Sequence, residues 1–244
     1  MTAPSHPSRA GDIGARLRVL VAPDGAVAAT ALTVFQYFLV SVSFIGCLGP
    51  AVAFTLLVGW QPTHLALWLG AASLLPLTPA TYALLRGSRR LLSERSEAQA
   101  GRVFWSSFVD GCRSLAWAAG MFTALLLLLA YDLALFGGSD AMLLFVAAVG
   151  AFAVVLLIAT CAVAAADPER RPIDTITRAV RAVGRRPHVG LSWLLLIGLG
   201  GVAASLPVVG AGVVLFLPAV VGVLIHICND ALRLPLIDET RPSS

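Results

Sequence analysis

From Gly25 to Leu85 the chain runs for 61 residues without one Asp, Glu, Lys or Arg. No soluble fold hides a stretch of that length. A bilayer crossing needs about 20 predominantly apolar residues, so this run holds two crossings, and three would leave no room for turns. The polar break Trp60-Gln61-Pro62-Thr63-His64 divides it. Two further uncharged runs follow, 26 residues over Ala141–Ala166 and 43 over Pro187–Asn229. Charged residues make up 12% of the chain, against about 25% in soluble domains. A mean hydropathy of +0.88 excludes a soluble globular class.

The pattern predicts an all-α polytopic membrane protein with six transmembrane helices, at about 30–58, 65–86, 114–136, 141–166, 189–206 and 211–229. Residues 1–29 form an N-terminal segment, 30–230 the membrane domain and 231–244 a tail. Ile13, Leu17, Leu20 and Val21 share one helical face beside Arg9, Arg16 and Arg18, which suits a surface helix. Leu17–Ala22 is too short an apolar stretch for a signal peptide. Gly46, Gly49 and Pro50 are expected to kink or break the long first crossing, because proline removes an amide donor and crowds the preceding turn.

All 17 basic residues are arginine. None falls in the three short connections at 59–64, 137–140 and 207–210. They occupy the N-terminal segment, the connections over 86–113 and 170–186, and the tail. Positive-inside bias therefore predicts that both termini are cytosolic. Two basic amphipathic cytosolic segments are expected. In the first, Arg86, Arg89, Arg90, Arg95 and Arg102 fill a polar connection before Val103-Phe104-Trp105, and aromatic residues beside arginine suit the headgroup layer. In the second, Ile173, Ile176, Val180 and Val183 recur at helical spacing, with Arg178, Arg181, Arg185 and Arg186 on other faces. The net charge of +4 would suggest nucleic acid in a soluble protein. The apolar flanks point instead to the lipid bilayer as the partner and to no nucleic acid.

Polar residues inside a crossing are tolerated mainly for function, and few are present. Gln36, Asp132 and His226 are the candidates. Asp132 lies near the end of the third crossing beside Tyr131, where the cost of about 2.5–3.5 kcal/mol for a mid-bilayer carboxylate falls away. His226 closes the sixth crossing with Asn229 and Asp230, and His64 lies between Trp60 and Trp68 in an outer aromatic belt. Pro50, Pro76, Pro79, Pro207 and Pro218 interrupt apolar helices and are candidate breaks along a substrate path. Arg102, Phe104, Trp105, Phe108 and Arg113 form a candidate partner or headgroup surface. Cys47, Cys112, Cys161 and Cys228 lack zinc spacing and read as small apolar helix residues. No GxSxG, HExxH, P-loop or strand-linked GxGxxG occurs. A protein with no catalytic residue, metal site or cofactor is expected.

Leu77-Thr78-Pro79-Ala80-Thr81-Tyr82-Ala83-Leu84-Leu85-Arg86, followed by Val103-Phe104-Trp105-Ser106-Ser107-Phe108, resembles the YesL-like family of integral membrane proteins (domain of unknown function 624). The later Arg178-Ala179-Val180-Arg181 through Leu191 looks like the same family's basic approach to its fifth crossing. The resemblance implies a bacterial plasma-membrane protein that assists carbohydrate uptake, with ABC-type sugar transporter subunits or further copies of itself as partners. It carries over no catalytic residues. Two functions follow as expectations: a non-catalytic accessory subunit of a solute uptake system, or a self-sufficient transporter or channel using the proline-broken helices.

Overall fold

The computed structural model describes residues 26–94, 99–137, 139–207 and 210–231. Its elements in chain order are α1 (Ala26–Cys47), α2 (Gly49–Leu57), α3 (His64–Ser73), α4 (Leu77–Glu94), α5 (Ala100–Ser114), α6 (Ala116–Phe136), α7 (Asp140–Ala166), α8 (Pro172–Arg185), α9 (Pro187–Ala204) and α10 (Gly210–Ala231). No strand occurs among the described residues. Six segments are long and apolar enough to cross a bilayer: α1, α3 joined to α4, α6, α7, α9 and α10. Leu56, Leu57, Leu144, Leu195 and Leu199 stand exposed on the outside of the bundle. In water such an apolar belt would aggregate, and against lipid it is the favourable surface. The protein is a multi-pass, all-α membrane bundle.

Proline chemistry sets the irregular joints. Pro50 opens α2 after a break at Leu48, whose amide reaches back to Ile45 and Phe44. Between α3 and α4, Pro76 and Pro79 cannot donate. The chain there tightens into i→i−3 bonds, Leu75 to Ala72 and Leu77 to Leu74, and resumes α-helix with Ala80 donating to Pro76. Gly59, at φ +72°, ends α2 in the left-handed conformation that a side chain would resist. Trp60 then folds back edge-on to Phe54 at 5.1 Å.

The sequence reading ends the second crossing at Arg86 and gives Arg89 and Arg90 to a connection. Instead α4 continues as helix to Glu94. Arginine is a good helix former, and α5 returns along this extension and packs on it. The candidate connection residue Arg95, the amphipathic segment around Ile13 to Val21, and the tail beyond Ala231 lie outside the described residues.

α4 is the hub. Half of the residues in the His64–Ser93 window are buried, against 17–22% in the other five, and α4 packs on α1, α5, α6, α7 and α10. It serves two cores at once. Tyr82 and Leu85 join Leu115, Phe122, Val155, Ile158, Trp193 and Ile225. Ala80, Ala83, Leu84 and Leu91 join Val40, Phe104 and Ala219. Small residues let the backbones approach: a Cβ on Gly111 would stand 3.0 Å from Tyr82 Cδ1 and 3.2 Å from Pro79 Cα, and one on Gly222 would collide with Ser88 Oγ. Close approach through glycine supplies the dispersion that drives helix association in lipid.

Gly111→Leu is therefore expected to destabilise the folded protein by about 1–3 kcal/mol, seen as a lowered midpoint of thermal unfolding in detergent. Gly120→Ala, where a Cβ meets nothing within 4 Å, should leave that midpoint in place.

Candidate functional site at the arginine-bearing end

Every described arginine lies on α4 after Tyr82, on α5, or between Ala166 and Pro187. These segments share one end of the bundle, because α5 joins α4 to α6 and α8 joins α7 to α9. The opposite end, with the turns around Gly59, Gly137 and Pro207, has no described arginine.

Both basic helices pack on the crossing that precedes them. In α5, Phe104 is fully buried and Ser107 and Gly111 face inward. The first turn of α5 is secured across the bundle: Gln36 Oε1, from α1, accepts the Ala100 amide at 2.7 Å. That bond satisfies one of the orphan donors of a helix N-terminus. It matters here because Gln99, the preceding residue, sits at φ 40° with no side-chain cap of its own.

Two stripes of α5 remain outward. One faces α4 across an open cleft of about 320 Å³ lined by Arg86, Arg89, Arg90, Ser93, Val103, Ser106, Ser107 and Asp110. Arg86 donates to the Tyr82 hydroxyl at 3.2 Å and lies over that ring. Its pair with Asp110 is long, 3.5 Å, and largely exposed, so it orients more than it stabilises. The other stripe carries Arg102, Trp105, Val109 and Arg113, all exposed. Trp105 stands edge-on to Phe104 at 5.7 Å and to Phe108 at 5.8 Å, which fixes it from beneath. Of the surface expected from sequence, Phe104 belongs to the interior and Phe108 is half-buried. A buried aromatic repeating every four residues reads in sequence like an exposed one.

The intramembrane polar candidates do not converge. His226 Nε2 meets the Leu85 carbonyl of α4 at 2.7 Å, tying α10 to the hub. Asn229, one turn on, is buried with neither amide atom bonded, as is Ser88 Oγ. Asp132 is half-buried on α6 at the far end, beside Tyr131, whose hydroxyl bonds His64 Nδ1 at 2.9 Å. That contact clasps α3 to α6.

The prolines are likewise dispersed. Pro76 and Pro79 line one apolar groove with Phe108, Gly111, Cys112 and Leu115. Pro50 is exposed in the first turn of α2, and Pro207 lies in the turn before α10. Pro218 is inside α10, and the adjacent Ala219 amide donates to Ser41 Oγ of α1 at 3.0 Å. Ser41, fully buried, escaped the sequence reading because nothing in its spacing announces a partner 178 residues away.

No family model matches the chain, and no curated protein or solved structure matches it either.

Ser41→Ala is expected to lower stability by about 1 kcal/mol. In a Pro218→Ala background, where the α10 backbone can close on itself, the same change should cost much less. A double-mutant cycle read by thermal unfolding in detergent checks this, and equal costs in both backgrounds would show that Ser41 does not serve the proline.

Proposed function

We propose that the protein is a non-catalytic accessory subunit of a bacterial solute-uptake system, with carbohydrate as the solute class. In this reading it sits in the plasma membrane with the arginine-bearing end and both termini in the cytosol, as the bias of the arginines suggests. It docks ABC-type transporter subunits through α5.

The observation that carries the reading is the exposed stripe Arg102, Trp105, Val109 and Arg113 on a helix whose opposite face, with Ala100 and Phe104, is buried in the bundle. Trp and Arg are the residue types that anchor protein interfaces. Trp105 is held by its aromatic neighbours, so little side-chain freedom remains to be lost on docking. The sequence resemblance covers this same pair of helices and supplies the solute class. The alternative of a self-sufficient transporter is less well supported, since the Ala219 amide beside Pro218 donates to Ser41 and the candidate prolines are scattered over several elements.

The test is Trp105→Ser with Val109→Ser in the tagged, full-length protein. Transporter subunits recovered on purification from the native membrane, together with solute uptake, should fall at least about tenfold, the loss of one modest hot spot, with thermal stability unchanged. Unchanged recovery and uptake would remove α5 as the docking element.

A further inference from the structure

α8 divides into three sectors around its axis. Thr175, Ala179 and Ala182 are buried against α7. About 100–160° round from them at helical spacing come Ile173 and Val180, exposed by 68% and 47%. The third sector carries Asp174, Thr177, Arg178, Arg181 and Arg185, which with Arg170 line an open cleft of about 380 Å³. Crossings end on both sides of α8, α7 at Ala166 and α9 beginning at Pro187, so the helix is pinned where the apolar layer meets water.

We infer that the α8 cleft is a binding site for the phosphate of an anionic phospholipid headgroup. The donors fit such an anion. Arg181 and Arg185 are both exposed and lie one turn apart, so their guanidinium groups reach the same volume. Arg170 is already committed through Nε and Nη2 to Asp167, at 3.1 and 2.9 Å, which leaves Nη1 for a ligand and fixes the cleft's edge. Thr177 donates its hydroxyl hydrogen to the Ile173 carbonyl at 2.7 Å, so the arginines supply the hydrogen bonds. Asp174 is the one acid on the cleft lining against four arginines; the surplus is cationic.

The exposed apolar sector selects the source. A soluble phosphate ester would need only the arginines. Ile173 and Val180 give the same helix an edge that is favourable against acyl chains, and an amphipathic helix with arginine beside aliphatic residues lies in the interface plane. The site is separate from the α5 stripe and does not depend on its role.

The experiment is lipid binding to the full-length protein in mild detergent, read by native mass spectrometry. Titrants are phosphatidylglycerol and phosphatidylcholine, with inorganic phosphate as competitor. Wild type should retain phosphatidylglycerol in preference to phosphatidylcholine. Arg181→Gln with Arg185→Gln should weaken the phosphatidylglycerol step about thirtyfold, at about one charge-worth of attraction per arginine. The matched pair Arg102→Gln with Arg113→Gln, equal in charge lost but on α5, should leave that step in place. Equal weakening by both pairs would reduce the effect to bulk charge and overturn the site, as would equal retention of the two lipids. Displacement by millimolar inorganic phosphate would assign the same arginines to a soluble phosphate and overturn the lipid source.

Discussion

The close antiparallel contact of α4 with α5 is the interaction on which the rest of this bundle depends. Pro79, Tyr82 and Gly111 meet at backbone distance, and that contact turns the chain back along α4 instead of letting it run off into solvent. In lipid the hydrophobic effect gives no drive to bring two apolar helices together; dispersion and complementary shape must do it. A glycine opposite a proline allows an approach that two branched residues would forbid. Once α5 is seated, Phe104 fills the second core beneath it, Arg86 is placed over Tyr82, and α6 starts from the buried Leu115. α4 then has one face for α7 and another for α1 and α10.

A second constraint is the backbone. In an apolar medium each unpaired amide or carbonyl is expensive, and helix ends and prolines create such groups. Side chains from other helices reach the backbone at three points: Gln36 on the Ala100 amide, Ser41 on the Ala219 amide, and His226 on the Leu85 carbonyl. All three connect elements distant in sequence and all touch α1, α4, α5 or α10, the helices gathered around the hub. Gln36, Ser41 and His226 thus have structural partners, and these bonds hold register among helices whose apolar surfaces alone would slide.

Charge-free runs made the fold class legible in the sequence, because length and hydropathy suffice to require helices in lipid. The arginines also marked, from sequence, which connections share an end. Less legible was where the helix carrying the second crossing stops. Arg86 looks like a boundary to any rule that equates charge with solvent, yet Tyr82 and Asp110 accommodate it and the helix continues. For the candidate surface on α5, sequence spacing could not say which aromatic faces in; Phe104 and Trp105 are adjacent, and only the direction of α4 decides between them. Ser41 required a contact between segments that no local pattern connects, whereas the basic face of α8 was legible in its helical spacing. Asn229 and Ser88 remain as buried polar side chains with no bonded partner; the sequence marked Asn229 as part of the polar end of the sixth crossing but gave no sign of Ser88.

The placement of α5 against α1 and α4 is most directly tested by a designed cross-link. A Cβ at Gly101 would lie 3.7 Å from Leu39 Cβ, close to the usual disulfide separation of about 3.8 Å. With Cys47, Cys112, Cys161 and Cys228 replaced by alanine, Leu39→Cys with Gly101→Cys should oxidise readily in native membranes, giving a linked peptide by mass spectrometry. The control, Leu39→Cys with Gly120→Cys, should stay reduced. A linked control with an unlinked test pair would contradict the return of α5 along the hub.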